Sequence, residues 1–312
     1  MISSKPMKSR RKLYAILLLF LLVVGAILYG LADRYLIQHV EIVVDDGNSS
    51  GNKNSVTGKA VYDDWSYNSD NLQIKIDQVE RGSGSDKITY YVADVQLKNG
   101  TNLLSAFADD SFGRNIIENT SEIASANNAI FAINGDYYGF RSDGVIIRNG
   151  TVYRDEPART GLALLNDGMM KSYEEEDADS STLLSDGVLN TLSFGPVLIK
   201  AGEVTSNFDQ VKIDTNFGNR SIQNANPRTG IGMIAPNHYV FIVVDGRKQG
   251  YSRGMTLTEF AQVFADLGCT EAYNLDGGGS STMYFMGRVV NNPLGKNRER
   301  GVSDILYVKE GK

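Results

Sequence analysis

Residues 13–32 carry no charged side chain, and a run of twenty such residues narrows what the N-terminal end can become. Wound as a helix it reaches about 30 Å, the thickness of a bilayer's hydrocarbon core. In that medium a segment must satisfy its own backbone amides, which a helix does. Ahead of the run stand Lys5, Lys8, Arg10, Arg11 and Lys12 with no acid among them, and Asp33 closes it. A basic tail over residues 1–12 favours a cytoplasmic N-terminus and export of everything after residue 32. A cleaved signal peptide starts the same way, and Gly30-Leu31-Ala32 offers small residues at a cleavage point. Its apolar core, however, spans only roughly 7 to 15 residues. The expectation is a single-pass protein anchored in the cell membrane by residues 13–32 with its folded part outside; the alternative is a secreted one.

Export sharpens the meaning of the charge. Without the five N-terminal cations, 26 basic residues face 37 acidic ones, a net of -11. Such a field repels nucleic acid, so no nucleic-acid partner is expected, and any phosphate must be met by a local cationic pocket. The acids at Glu174, Glu175, Glu176, Asp177 and Asp179 read as a solvated loop. The single cysteine, Cys269, forbids an intrachain disulfide and reads as inert core, a pattern that suits a bacterial surface.

Residues 33–70 are polar and turn-rich, and 45–52 read as a flexible spacer, so the folded domain is expected over residues 71–312. Residues 72–79 alternate with the period of a half-buried strand, and 88–97 form a second strand. Asn149-Gly150, Asn166-Asp167-Gly168 and Ala201-Gly202 mark hairpins. Helices are predicted over 116–127 and 257–267; Thr256 and Glu259 have the capping-box spacing at the start of the second, and Gly268 ends it. Many hairpins with few helices mean an α+β fold, with a mixed, mainly antiparallel sheet behind one N-terminal transmembrane helix.

Several predicted strands run into polar, glycine-marked sites. These are Asn134-Gly135-Asp136, Gly195-Pro196, Asn226-Pro227-Arg228-Thr229, Asp245-Gly246-Arg247, and Asn274-Leu275-Asp276-Gly277-Gly278-Gly279-Ser280-Ser281. Three adjacent glycines are costly to order, so a folded domain keeps them where backbone turns tightly or approaches something closely. A carboxylate at a strand end, followed by amides and hydroxyls, suits an oxygen-rich ligand such as a sugar or phosphate; a plain Asx turn is the alternative.

Taken in order, these motifs resemble the phosphodiester glycosidase family, in particular its bacterial exopolysaccharide-associated branch, over residues 71–308. Asp136 departs from the pattern, since relatives often carry a further glycine there. The resemblance implies cleavage between a sugar's anomeric carbon and the phosphate of a phosphodiester, with a glycan or sugar-phosphate as substrate. A departing phosphate monoester has a second pKa near 6, so cations and N–H donors on the phosphate matter more than a strong general acid. Arg228, Arg247 and the amides of Gly277, Gly278 and Gly279 are the candidates for that role. A carboxylate is needed at the anomeric carbon, and Asp276, Asp245 and Asp136 are the candidates. Asp245 and Asp136 have an alternative as turn-formers. Asn134, Asn274, Thr229 and Ser280 either bind sugar hydroxyls or stabilise turns, Gly135 sits beside them, and Tyr137 either stacks on a sugar or packs in the core.

Other chemistries fit less well. No Gly-Lys-Ser/Thr follows the glycines, so there is no P-loop. Only His39 and His238 exist to serve Ser280 as a base, and neither lies in a suitable motif. Two histidines and one cysteine argue against a zinc site. The sequence requires no cofactor, and leaves an oxygen-ligated Ca²⁺ or Mg²⁺ at the aspartates undecided. The rival reading from another class is a non-catalytic sugar-phosphate or polysaccharide binding module in envelope or exopolysaccharide assembly.

Overall fold

The computed structural model describes residues 7–44, 60–98, 101–211, 213 and 222–310. The fold is α+β with antiparallel pairing throughout the described sheets, as the hairpin spacing predicts. The charge-free run lies within one helix, Met7–Tyr35. Its large apolar side chains, Leu17, Phe20 and Ile27 among them, face outward and pack on nothing in the domain. By length and composition this helix fits either a membrane-spanning anchor or a signal peptide.

The helix is tied closely to the domain. Asn115 Nδ2 donates to the carbonyls of Asp33 (3.0 Å) and Ile37 (2.8 Å). The strand His39–Val43 then pairs with Ser111–Arg114. Residues 33–70, expected as a spacer, are therefore partly built into the fold. Val61–Tyr62 and Ser66–Asn68 likewise extend the main sheet, being too short to show a period in sequence. Residues 45–52, the expected flexible stretch, lie outside the described residues.

Nine strands form the main sheet, in the order Glu203–Val204, Val197–Lys200, Glu271–Leu275, Arg228–Ala235, His238–Val244, Ile88–Leu97, Leu72–Arg81, Ser66–Asn68, Val61–Tyr62. Side chains alternate across it. Tyr91, Phe241 and Val243 point to one face and share a core with Phe131, Ile133 and Leu306 of the second sheet. Tyr90, Ile242 and Val244 point to the other and pack beneath the helix Leu257–Asp266. The second sheet runs Arg288–Val289, Met283–Phe285, Phe131–Asn134, Asp304–Val308, Leu104–Phe107. Its outer face carries the short helix Thr120–Ala126 through Ile123 and Ala124. Helix, sheet, sheet, helix is the order of layers. The predicted helix over 116–127 shrinks because Glu118 pairs with Val302 as an isolated bridge and Asn119 caps the helix.

The acidic run also differs from expectation. Glu175 is buried, and its carboxylate accepts from the amides of Val145 (3.2 Å), Ala158 (2.8 Å) and Arg159 (3.1 Å). Three backbone donors converging on one carboxylate explain why an acid is buried there. Cys269 is buried as expected, and burial pushes its thiol up to about 12.

The helix Leu257–Asp266 starts with the expected Thr256–Glu259 capping box and lies on Gly230 and Gly232. A Cβ at Gly232 would stand 2.7 Å from both Phe264 Cδ1 and Cys269 Sγ. Gly232→Ala should therefore overpack this layer and cost about 1–3 kcal/mol. Thermal unfolding of the full chain in detergent checks this; an unchanged Tm would mean that the layer has slack.

Candidate active site

Strand ends of both sheets converge on Asn134. Its Oδ1 accepts from Thr229 Oγ1 (2.8 Å) and the Thr282 amide (3.2 Å), and its Nδ2 donates to the Asp276 carbonyl (2.7 Å). The last residue of Phe131–Asn134 is thus joined to the start of Arg228–Ala235 and to the loop that follows Glu271–Leu275. Three of the five sequence motifs meet at this seam.

The three glycines fit among arginines. A Cβ at Gly277 would stand 2.7 Å from the Pro227 carbonyl and 3.5 Å from the Arg228 Cα. One at Gly278 would meet the Arg247 guanidinium at 3.1 Å, and one at Gly279 would meet Arg300 Cδ at 3.0 Å. Space against backbone favours glycine at Gly277, and the left-handed φ of +64° favours it at Gly278. Of the amides expected to bind phosphate, that of Gly278 donates to the Pro227 carbonyl (2.9 Å) and so holds the loop.

Arg228 is buried, with Nε donating to the Met255 carbonyl (3.0 Å) and an Nη to that of Asn224 (2.8 Å). No carboxylate forms an ion pair with it among the described residues. Burial, and then the like charge of Arg247, pull its guanidinium down to about 10. Two cations held near one another with carbonyls rather than carboxylates around the buried one make a place for an anion. Arg247 is exposed and its guanidinium donates to Asn226 Oδ1 (3.0 Å).

Asp276 lies on the other side of the glycine loop. Its Oδ2 accepts from Ser280 Oγ (2.5 Å) and from Arg300 (3.1 Å), whose guanidinium also donates to Ser280 Oγ. The carboxylate is 14% exposed and Arg300 50%. Burial raises the Asp276 pKa; Arg300, Ser280 and Arg141 oppose that rise. Ser280 bonds to a carboxylate and not to an imidazole: His39 pairs with Asp33 (3.1 Å) and His238 with Asp94 (3.0 Å).

The other candidates are engaged within the fold. Asp245 is buried and accepts from Tyr251 Oη (2.7 Å), Asn291 Nδ2 (2.8 Å) and the Asn292 amide (2.9 Å), while burial raises its pKa. Asp136 accepts from the amides of Tyr138 (2.7 Å) and Ser193 (2.9 Å), and pairs with Arg148 (3.3 Å). Arg148 also pairs with Asp304 (2.7 Å), a carboxyl whose pKa burial raises and Arg148 opposes. Gly135 runs against Asp304, whose Oδ1 would stand 2.2 Å from an added Cβ. Asn274 Nδ2 donates to the Gly195 carbonyl (2.9 Å), and its buried Oδ1 has no partner. Tyr137 is half-buried, stacked on Phe140 (4.8 Å) with the Arg141 guanidinium 5.1 Å from its ring centre. Sequence reasoning missed Arg300, Arg141, Arg148 and Asp304, which reach the site across long sequence separations. Among the described residues no group of three or more His, Cys, Asp or Glu side chains is placed to hold a metal ion.

Residues 127–309 match the sequence profile of the phosphodiester glycosidase family. The chain belongs to that family. It is also 32% identical over 206 residues to the SPbeta prophage-derived uncharacterized protein YomE of Bacillus subtilis (strain 168), over 63% of this chain and 30% of that protein. The chain thus spans under a third of the length of this curated relative. Among solved structures, the catalytic domain of zebrafish N-acetylglucosamine-1-phosphodiester alpha-N-acetylglucosaminidase, auto-inhibited by its pro-peptide, is similar with a TM-score of 0.62. That match has 20% identity and covers 82% of this chain and 89% of that one. A hypothetical protein from Synechocystis is similar with a TM-score of 0.58 and 14% identity, over 82% and 64% of the two chains. At these identities both likenesses concern the fold alone.

The Arg300 contact makes a signed prediction. Arg300→Gln removes the charge that most favours ionised Asp276, so the carboxyl should titrate at a higher pH than in the native chain. The carboxyl ¹³C shift of Asp276 reads this directly. A downward or absent displacement would show that Arg300 does not act on it.

Proposed function

We propose that this protein is a membrane-anchored hydrolase acting outside the cell on glycosyl-1-phosphodiesters, in polysaccharide or teichoic-acid-like polymers of the cell envelope. The observation that carries this reading is Arg228, a buried guanidinium beside Arg247 with no carboxylate pair, next to the loop that bears Asp276. Membership in the phosphodiester glycosidase family supports it. In the proposed step a water oxygen bonds to the anomeric carbon and the bond from that carbon to the phosphate oxygen breaks. The phosphate monoester leaves with the electron pair, and the water's proton passes to Asp276 and then to solvent. Arg228 and Arg247 stabilise the charge gathering on the phosphate, where a forked donor is worth most. Asp276 acts at the anomeric carbon, where positive charge develops.

The full chain, incubated with UDP-N-acetylglucosamine or a synthetic sugar-1-phosphodiester, should release free sugar. Binding without release across a panel of such esters would instead favour the binding module. Arg228→Lys keeps the charge but loses the fork, and should lower kcat/KM on the order of 10²-fold. Asp276→Asn should abolish turnover and leave affinity nearly intact, provided circular dichroism shows both variants folded. Near-normal kcat in Asp276→Asn would move the catalytic carboxylate to Asp245 or Asp136.

The anchor has its own check. If residues 13–32 stay in place, the mature chain keeps Met1 and resists alkaline extraction from membranes. A soluble product starting at Asp33 would defeat the anchor and leave the hydrolase reading intact.

A further inference from the structure

A cleft of about 530 Å³ lies where the N-terminal helix meets the domain. Four arginines line it, Arg34, Arg114, Arg141 and Arg159, against two aspartates, Asp33 and Asp143. The volume is that of a small-ligand site. Its cationic balance stands out in a chain whose part beyond the N-terminal tail carries -11. Arg159 pairs with Asp143, whereas Arg114, half-buried, and Arg34 have no ion-pair partner among the described residues. Asn115 lines the same cleft, is buried, and leaves its Oδ1 without a partner.

Position makes the cleft specific. Asp33 and Arg34 belong to the last turn of the apolar helix, whose candidate membrane span is Lys12–Tyr35. Asn115, the pairing of His39 with Arg114 and the His39–Asp33 contact (3.1 Å) fix that turn to the domain. With the helix in a bilayer, the cleft's lower wall is level with the lipid headgroups. Its upper wall reaches the candidate active site. Arg141 donates to the Ser193 carbonyl (3.0 Å), Ser193's amide holds Asp136, and the charge of Arg141 acts on Asp276.

We propose that this cleft binds the phosphodiester headgroup of a membrane-embedded glycosyl phospholipid and delivers it to the site from the bilayer plane. The assignment rests on the hydrolase reading for its substrate class and on the helix for its geometry. The arginines meet the phosphodiester, and the lipid chain stays beside the helix. A polymer in solution would have no use for a cationic site placed at the membrane surface.

The test uses the full chain in phosphatidylcholine nanodiscs, with hexadecyl glucosyl phosphate as probe. Asp276→Asn serves as background so that the probe is not consumed, and native mass spectrometry counts retained lipid. Retention of the probe over hexadecyl glucoside, which lacks the phosphate, is expected. Arg114→Gln and Arg34→Gln should each weaken it about tenfold, the loss of one charge-assisted hydrogen bond. Water-soluble methyl glucosyl phosphate should displace the probe only in large excess. Equal retention of the glucoside, indifference to both substitutions in chains of unchanged Tm, or displacement by the soluble ester at equal concentration would each overturn the proposal, the last by making the cleft a site for free anions. Glucose release from methyl glucosyl phosphate by the native chain reports separately on the hydrolase reading. No release together with arginine-dependent retention would sink hydrolysis and leave the cleft's ligand as assigned.

Discussion

One buried amide holds the two sheets in register at the site. Asn134 has no exposure, and its side chain serves Thr229 on one strand and Asp276 and Thr282 in the glycine loop, two segments far from it in sequence. Aspartate cannot replace it, because the Asp276 carbonyl needs a donor while Thr229 and Thr282 need an acceptor. In a dry seam each lost partner leaves a polar group stranded, so the network holds together or fails as a unit. Asn134 therefore builds the site from behind, and the glycine loop's position follows from it.

Charge is distributed on the same principle. The domain is acidic overall, yet the buried Arg228 beside the seam forms no ion pair with a carboxylate among the described residues. Glycines make that arrangement fit, since Gly278 and Gly279 give up side chains where Arg247 and Arg300 lie. Deeper down the pattern reverses. Arg148 is shared by Asp136 and Asp304, a buried group in which one cation faces two acids, and burial raises Asp304. Removing one member of the buried group would leave an unpaired charge, which costs more than the ion pair itself contributes.

The sequence shows most plainly what local chemistry decides. Asn149-Gly150 and Ala201-Gly202 turn their hairpins, and residues 88–97 form a strand with the expected bounds. Thr256 and Glu259 cap their helix because both halves of the box lie within one turn. Where partners are distant, local reading fails. Glu175 looks like part of a solvated acidic run, and only the fold brings three amides to it. Val61–Tyr62 is strand only because Ser66–Asn68 and Leu72–Arg81 pair beside it. Arg300 lies in a charged stretch, Arg298-Glu299-Arg300, with nothing nearby to set it apart. Its contact with Asp276 spans 24 positions.

The three aspartates show how environment divides residues that the motifs rank alike. Each follows a strand and neighbours glycine, so in sequence they compete for one role. Asp245 has both oxygens taken by Tyr251, Asn291 and Asn292, neutral donors that tie two loops together. Asp136 is committed to two amides and a buried arginine. Asp276 alone of the three keeps partial exposure, and the contacts named at its side chain both fall on Oδ2, from a hydroxyl and from an arginine half in solvent. Those partners are mobile by nature, a rotating hydroxyl and a long cationic chain, whereas the amides around Asp136 cannot leave without unfolding the loop. A carboxylate that exchanges partners with a substrate needs contacts that can be given up, and among the three aspartates Asp276 has such contacts, in keeping with the role proposed for it.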